Sequence, residues 1–334
     1  MKAIVYTKYG SPDFLELRVV DKPVPKDNEV LIKVFAASIN DWDLGNIIGR
    51  PFINRFFTGL FKPKKNIPGS DISGRIEAIG KNVNLFQAGD QVYGDLSGIW
   101  GGFAEYACAH EKAIAFKPPK MTFEEAAAIP QAAMLALQSL HDIGQINQGI
   151  IERTDRHKIL INGAGGGVGT FGIQIAKLNA DVEVTGVDST DKLNMLRSIG
   201  FDHVIDYTRE DFTKNRKCYD LILDVKTNRS IFDYLRALNP NGIYVTVGGS
   251  MSRLLQIFLL RLVISMFSNK KINIVALKPN RDLVYINELF EAGKIKPILD
   301  KPFNLSDVPE AMKYFSKGVH KGKIVITIEH NINT

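Results

Sequence analysis

The stretch Lys158-Ile159-Leu160-Ile161-Asn162-Gly163-Ala164-Gly165-Gly166-Gly167-Val168-Gly169 decides how this chain is read. Residues 158–162 read as a buried strand, and 170–177 read as a helix. Between them stand five glycines in seven residues. Glycine loses more conformational freedom on folding than any other residue, so such a run is costly unless the backbone must approach a ligand closely. A tight loop from a strand into a helix meets that need. The helix N-terminus presents unpaired N–H groups and the positive end of its dipole to a pyrophosphate. The spacing is Gly163-x-x-Gly166-x-x-Gly169 rather than GxGxxG, and the strand before and helix after are what mark a dinucleotide-binding loop. Gly163, Ala164, Gly165, Gly166, Gly167 and Val168 are therefore candidate cofactor-binding residues.

The next apolar run, 182–187, leads into Asp188, which lies 19 residues after Gly169. A carboxylate at the end of the second strand accepts the ribose hydroxyls of NAD(H) and repels a 2′-phosphate. Ser189, Thr190, Lys192 and, after the following strand, Tyr207 are donors that suit a phosphate, so NAD(H) and NADP(H) both stay open. Asp188 and Ser189 equally suit the cap of a helix over 191–199. Val247 and Gly248, where the run 242–247 ends, complete the candidate cofactor-binding set.

Further out the same texture repeats. Apolar runs at 158–162, 182–187, 203–205, 220–223, 242–247 and 272–276 alternate with helical segments, which implies βαβ crossovers and a doubly wound parallel sheet in an α/β chain. This texture begins near Thr122, where Thr122-Phe123-Glu124-Glu125 has the form of a capping box ahead of the helical stretch 126–141. The first 120 residues differ. Turn signals at 9–12, 23–25, 67–69, 88–90 and 117–119 separate β-rich runs such as 30–35, 73–79 and 91–93, the pattern of a small all-β unit. After Pro279, helices over 282–291 and 308–316 and a strand over 323–328 are expected to return to the first domain's sheet, since a lone strand needs one to pack on. The expected division is 1–120, 121–278 and a tail, 279–334, that completes the first domain.

Composition narrows the function classes. With 334 residues, 45% of them apolar and 23% charged, the chain can bury a sizeable core and is too apolar for disorder. The net charge is +6, but the basic residues form only short clusters, at Lys62, Lys64 and Lys65, at Lys214, Arg216 and Lys217, and at Lys270 and Lys271. No basic stripe interleaved with aromatics marks a nucleic-acid groove. Two cysteines, Cys108 and Cys218, cannot build a disulfide framework or a four-cysteine zinc site, and they fit a reducing cytosol. The N-terminus does not read as a signal peptide. The run 254–267, interrupted by Gln256, Arg261 and Ser265, falls short of the ~18 apolar residues of a spanning helix. A cytoplasmic protein is expected.

On these residues the chain resembles the medium-chain dehydrogenase/reductase superfamily, in its zinc-free, zeta-crystallin-like quinone-oxidoreductase branch. The resemblance covers nearly the whole chain. It is carried by 160–177 through Gln174 and Lys177, by Pro68-Gly69-Ser70-Asp71-Ile72-Ser73-Gly74, by Ile79-Gly80, by Gly89-Asp90-Gln91-Val92 and by Gly322-Lys323-Ile324-Val325. It implies a GroES-like β-barrel domain completed by the C-terminal tail, joined to a Rossmann domain, with NADP(H) or NAD(H) and substrate in a cleft between them. Zinc-dependent members hold a catalytic metal with a Cys and a Gly-His-Glu motif. At the matching positions stand Asn40 and Gly69-Ser70-Asp71, so the resemblance implies no zinc. It also implies that Asn40 and Asp43 orient ribose, nicotinamide or substrate oxygen; from the residues alone, both equally suit a cap of the turn that follows.

Without a metal to polarise a carbonyl, reduction of a simple ketone or oxidation of an alcohol loses its Lewis acid. A conjugated acceptor delocalises the charge left by hydride addition, so positioning and one or two hydrogen bonds suffice. The leading function is NAD(P)H-dependent reduction of quinones, enones or similar conjugated carbonyls. One alternative is alcohol or aldehyde dehydrogenase activity, which fold analogy alone does not license. Another is an NADPH-sensitive RNA-binding or structural protein, which the charge permits and no motif supports. Ile47, Ile48, Phe52, Phe56, Phe57, Leu60 and Phe61 offer an apolar wall for a small apolar acceptor, whereas 254–267 reads as core or subunit interface. The strand 272–276 at the sheet edge could pair with a second copy, and the resemblance implies that it gives a homodimer.

Overall fold

A computed structural model describes residues 1–146 and 156–330, and the chain separates into two compact units. The first comprises Met1–Met134, Lys278–Ala292 and Pro297–Thr334; the second comprises Leu135–Leu277 and Gly293–Lys296.

The first unit is antiparallel through most of its sheet. β1 (Lys2–Val5) pairs with β2 (Glu16–Val19). β3 (Glu29–Ser38) is followed by α1 (Asp41–Ile48) and α2 (Arg55–Thr58), and pairs with β4 (Asp71–Ile79). β4 pairs with β5 (Gln91–Asp95), β6 (Tyr106–His110) returns to β3, and β7 (Ala115–Phe116) joins β5. Side chains alternate across a strand, so Val30, Ile32 and Val34 of β3 reach one core together with Ile72 and Ile76 of β4. Register shifts in β3 between Leu31 and Ile32 and between Val34 and Ala36 bend the sheet. Of the apolar residues expected to form a wall, Ile47 is in this core, while Phe52, Phe56, Leu60 and Phe61 are exposed. The side chain of Phe57 lies outside the described residues.

The expected capping box is present. Glu125 N–H donates to Thr122 Oγ1 (3.1 Å) and Thr122 N–H to Glu125 Oε2 (3.0 Å), opening α3 (Phe123–Ala127). α4 (Pro130–Leu137) follows and runs into a π-helical turn, Gln138–Ile143. The units divide at Met134, later than the change of texture near 121, because Ala127 and Ala128 pack with Ala36 and Val325 of the first unit's sheet.

In the second unit strands and helices alternate as expected: β8 (His157–Asn162), α5 (Gly167–Ala176), β9 (Val182–Asp188), α6 (Leu193–Ser198), β10 (His203–Asp206), β11 (Tyr219–Asp224), α7 (Ile231–Arg236), β12 (Leu238–Thr246), α8 (Met251–Phe267) and β13 (Lys271–Ile274). The six strands are parallel in the order β10-β9-β8-β11-β12-β13. Strand order reverses between β8 and β11, and in open α/β sheets ligands bind beyond the carboxyl ends of the strands at such a point. Asn162 and Asp224 are register partners there.

One expectation is corrected. Of the two readings of the run 254–267, core or subunit interface, the first does not hold: of the described side chains of α8, only Ile257 and Ile264 are buried, and Leu260 is partly so. Hydrophobicity all round a helix leaves open which face the fold covers.

The tail supplies α9 (Leu283–Glu291), β14 (Phe303–Asn304), α10 (Val308–Ser316) and β15 (Val325–Thr327). β15 lies antiparallel on β3, with Val325 opposite Ser38, and β14 lies parallel on β15, so the chain end completes the first sheet. Gly293–Lys296 belongs to the second unit instead, where Gln174 Nε2 donates to Lys296 O (3.0 Å) and Lys296 N–H to Gln174 Oε1 (2.7 Å).

Candidate functional site

Each unit carries one cluster of interest. In the second unit β8 ends at Asn162, and Gly163 turns the chain with φ +85°, a conformation that favours glycine. Gly169 lets the helix seat on the loop, since a Cβ there would stand 2.5 Å from Ala164 Cα. Gly166 is different. It is the N-cap of α5, no side chain caps the helix there, and a Cβ on it would meet only Gly163 O, at 3.8 Å. A side chain on Gly166 would thus enter open space beside the α5 N-terminus, whose first N–H groups have no partner within the helix, and such a cradle is what a pyrophosphate requires. The exposed Lys226 lies along the loop, its Cγ and Cε 3.0 and 3.2 Å from where a Cβ on Gly163 would be.

Asp188 is turned into the loop rather than out of it. Its Oδ2 accepts from Gly165 N–H (2.8 Å) and its Oδ1 from Ser189 N–H (2.9 Å), while Lys192 Nζ lies 3.5 Å from Oδ1. Both side chains are buried, and a Cβ on Gly165 would collide with them, 2.5 Å from Lys192 Cδ. The geometry gives Asp188 the work of clamping the glycine loop and balancing Lys192. Tyr207 is exposed, with its N–H on Asp188 O (3.2 Å); Ser189 is half-buried.

Beneath the loop lies a network that sequence reasoning missed. Asp224 Oδ1 accepts from Asn162 Nδ2 (2.8 Å) and from the N–H groups of Lys226 and Thr227 (3.0 and 2.9 Å); its Oδ2 accepts from Tyr244 Oη (2.7 Å). Asp224 is fully buried and fixes the two loops at the strand-order reversal. Val247 and Gly248 continue from β12 on the same side, and Gly248 N–H donates to Thr246 Oγ1 (3.3 Å). A Cβ on Gly248 would meet nothing within 4 Å.

In the first unit Asn40 sits at the N-cap of α1. Its backbone N–H donates to Asp43 Oδ2 (2.8 Å), so Asp43 has the capping role that its spacing allows, and it is fully buried. The Asn40 amide is held from both ends: Nδ2 donates to Asp71 Oδ2 (2.9 Å) and Ser70 Oγ (3.3 Å), and Oδ1 accepts from Lys323 Nζ (2.6 Å). Lys323 arrives through sheet register. With Val325 opposite Ser38, the chain carries Ile324 past Ile39, whose N–H donates to Ile324 O (3.1 Å), and Lys323 past Asn40. Its buried ammonium also donates to Ile39 O (3.1 Å) and lies 3.5 Å from Asp71 Oδ2. Gln131 N–H donates to Asp71 Oδ2 (3.3 Å), and Gln131 Nε2 reaches Ser97 Oγ (3.4 Å), which donates to Asp95.

Three buried carboxyls, Asp43, Asp71 and Asp95, thus gather around one ammonium, and each leaves one oxygen without a partner. Desolvation dominates their titration. It pushes Asp43 up to about 8 and Asp71 up to about 7, and raises Asp95; the Lys323 charge pulls all three back. Asp71 and Lys323 stand in motifs that carry the resemblance, though nothing in the sequence paired them with each other, and Asp95 and Gln131 had no sequence signal for this role. Their proximity to Asn40 comes from strand pairing across the whole chain.

A doubly wound parallel sheet opened by a glycine loop, on one chain with an antiparallel unit of this kind, defines the class of two-domain nucleotide-dependent dehydrogenases. The family model of the alcohol dehydrogenase GroES-like domain matches residues 26–119, and that of the zinc-binding dehydrogenase matches 199–326. The chain is 33% identical to the 2-methylene-furan-3-one reductase of Solanum lycopersicum, across 98% of this chain and 79% of that protein. It is 30% identical to the chloroplastic NADPH-dependent alkenal/one oxidoreductase of Arabidopsis thaliana, with the same coverage of 98% and 79%. The solved quinone oxidoreductase of Coxiella burnetii superimposes with a TM-score of 0.84 at 27% identity, over 98% of this chain and 99% of that one. The chain belongs to the medium-chain dehydrogenase/reductase superfamily, alongside its quinone oxidoreductases and alkenal/one reductases.

Two groups that this family implies can be tested against the residues present. A nicotinamide dinucleotide fits the second unit, where Gly166 leaves the cradle at the α5 N-terminus open. Zinc does not fit the first. An amide, a hydroxyl and a carboxylate replace the soft ligands, and the Lys323 ammonium, itself a cation, is bonded into the same cluster.

Proposed function

We propose that the protein is a zinc-independent oxidoreductase that passes a hydride from NAD(P)H to quinones, enones or similar conjugated carbonyls. The observation that carries this reading is the Lys323 ammonium bonded to Asn40 Oδ1, at the position where zinc-dependent relatives hold their metal. Residues 1–120 with 279–334 form the substrate domain in this reading, and 121–278 the nucleotide-binding domain. When bound, NAD(P)H supplies the hydride. The loop Gly163, Ala164, Gly165, Gly166, Gly167 and Val168 holds its pyrophosphate; Ser189, Lys192 and Tyr207 flank the adenosine half, and Val247 and Gly248 line the far side. Asn40 orients an oxygen of the substrate or the ribose, its Nδ2 exchanging the longer contact to Ser70 for that oxygen. Asp43 acts through Asn40 as a positioning residue. The exposed Phe52, Phe56, Leu60 and Phe61 favour an apolar acceptor. The free Cys108 and Cys218 suit a reducing cytoplasm, and β13, at the open edge of its sheet, suits pairing into a homodimer.

The test is a panel of quinones, enones and simple alcohols with NADPH and NADH, run with and without chelator on protein of measured metal content. Turnover of a quinone or enone that survives chelation in metal-free protein is the expected result. One tightly held zinc per chain, with turnover restricted to alcohols, would replace this reading with that of an alcohol dehydrogenase.

Cofactor choice follows from the Asp188 clamp. Asp188→Ser removes the carboxylate that pairs with Lys192 and releases that ammonium toward a 2′-phosphate. The NADPH/NADH ratio of kcat/KM is expected to rise by about tenfold, the effect of ~1.4 kcal/mol. An unchanged ratio would show that neither residue reads the ribose.

A further inference from the structure

Among the described residues, nothing covers the outward face of α8. Ile257 and Ile264 bury one side of the helix, with Leu260 packed partly beside them. The opposite side carries Leu255, Phe258, Leu259, Leu262, Val263 and Met266, spaced by three and four residues and all exposed, Leu262 to 65% and Met266 to 79%. A contiguous apolar helix face of this kind marks an interaction site rather than scattered surface.

Charge identifies what fits it. From Gly248 through Leu277 the chain contains no Asp or Glu, while Arg261 and Lys271 are exposed cations in this stretch; Arg253 Nη1 donates to Gln256 Oε1 (3.0 Å) and Lys270 Nζ to Leu235 O (2.7 Å), so those two are held within the fold. Arg261 stays on the helix surface, its guanidinium 5.0 Å from the Phe258 ring centroid. The carboxylate on the neighbouring α7, Asp233, is paired with Arg236 and does not offset these cations. A second copy seated on the same face would oppose like charges with like. An anionic lipid surface would meet the exposed Arg261 and Lys271 with opposite charge and no opposing carboxylate, while the leucines enter the boundary of the acyl chains.

We propose that α8 is an interfacial helix that docks this protein on anionic lipid bilayers. No helix among the described residues is long and apolar enough to cross a membrane, and α8, fastened to the sheet by Ile257 and Ile264, lies on the surface instead. The docking does not depend on the hydride chemistry, and it would bring the protein to where apolar acceptors dissolve.

Flotation of the full-length protein tests this, with vesicles of phosphatidylcholine alone and of phosphatidylcholine containing phosphatidylserine, at low and high salt. The expected result is flotation with the phosphatidylserine vesicles that weakens as salt rises. The doubly substituted Leu255→Glu, Leu262→Glu protein should lose it by about tenfold or more, with NADPH reductase turnover in solution unchanged. A protein that stays in solution with both vesicles overturns the proposal, as does a double variant that floats like the wild type. If vesicles fail and sedimentation velocity shows an oligomer that the double variant dissolves, a second copy covers this face and the membrane does not.

Discussion

Gly166→Val is expected to leave the fold intact and to weaken NAD(P)H binding by at least about 100-fold, or ~2.7 kcal/mol. Two features separate this glycine from its neighbours. Its backbone, at φ −90° and ψ 179°, is extended and suits a β-branched residue. A Cβ there has only Gly163 O near it, at 3.8 Å, so the new methyls enter the open cradle in front of the α5 N–H groups. Gly169→Val is the contrast. Its Cβ would stand 2.5 Å from the Ala164 backbone, so that variant should lose stability as well as binding. Thermal melts alongside NAD(P)H fluorescence titrations distinguish the two. A folded Gly166→Val protein that binds the dinucleotide with unchanged affinity would take the loop out of the site.

The second large effect concerns pH and the buried carboxyls. Burial holds Asp43 near 8 and Asp71 near 7, far above the ~3.9 of an unfolded Asp. Between those values the native state binds more protons than the unfolded chain. Its stability therefore falls as pH rises from about 4 through about 8, by up to ~1.4 kcal/mol per pH unit for each proton. Asp95 adds in the same direction, and the Lys323 charge opposes all three. Asp43→Asn keeps an oxygen for the Asn40 N–H and removes one titrating group, so it should flatten the slope and exceed the wild type in stability at pH 8. Lys323→Met leaves the carboxylates without their cation and should cost ~3–5 kcal/mol at pH 8, with a much smaller loss at pH 5. Urea unfolding at the two pH values measures both. Parallel stability differences at pH 5 and pH 8 would mean that these carboxyls do not titrate in the native protein.

What was legible in the sequence was local or periodic. The strand, glycine loop and helix around Gly166, the alternation that makes a parallel sheet, and the Thr122–Glu125 capping box depend on backbone demands met within a few residues. For the same reason the return of the tail could be anticipated, since a solitary strand needs a sheet. The partners of charged groups were another matter. Asp188 reads as a ribose acceptor from its position after β9, yet the folded loop brings Gly165 N–H and Lys192 to both of its oxygens. Lys323 lies 283 residues from Asn40 and meets it only because Val325 pairs with Ser38. The apolar run 254–267 has the composition of a core helix, and only packing shows that one side of it is uncovered. Sequence alone determined the α/β fold and its strand–glycine loop–helix turn, because glycine conformation and hydrophobic period act over short distances. Tertiary structure decided which carboxylates are buried, which cation answers them and which face stays bare, because desolvation and Coulomb terms depend on neighbours that only long-range register brings together.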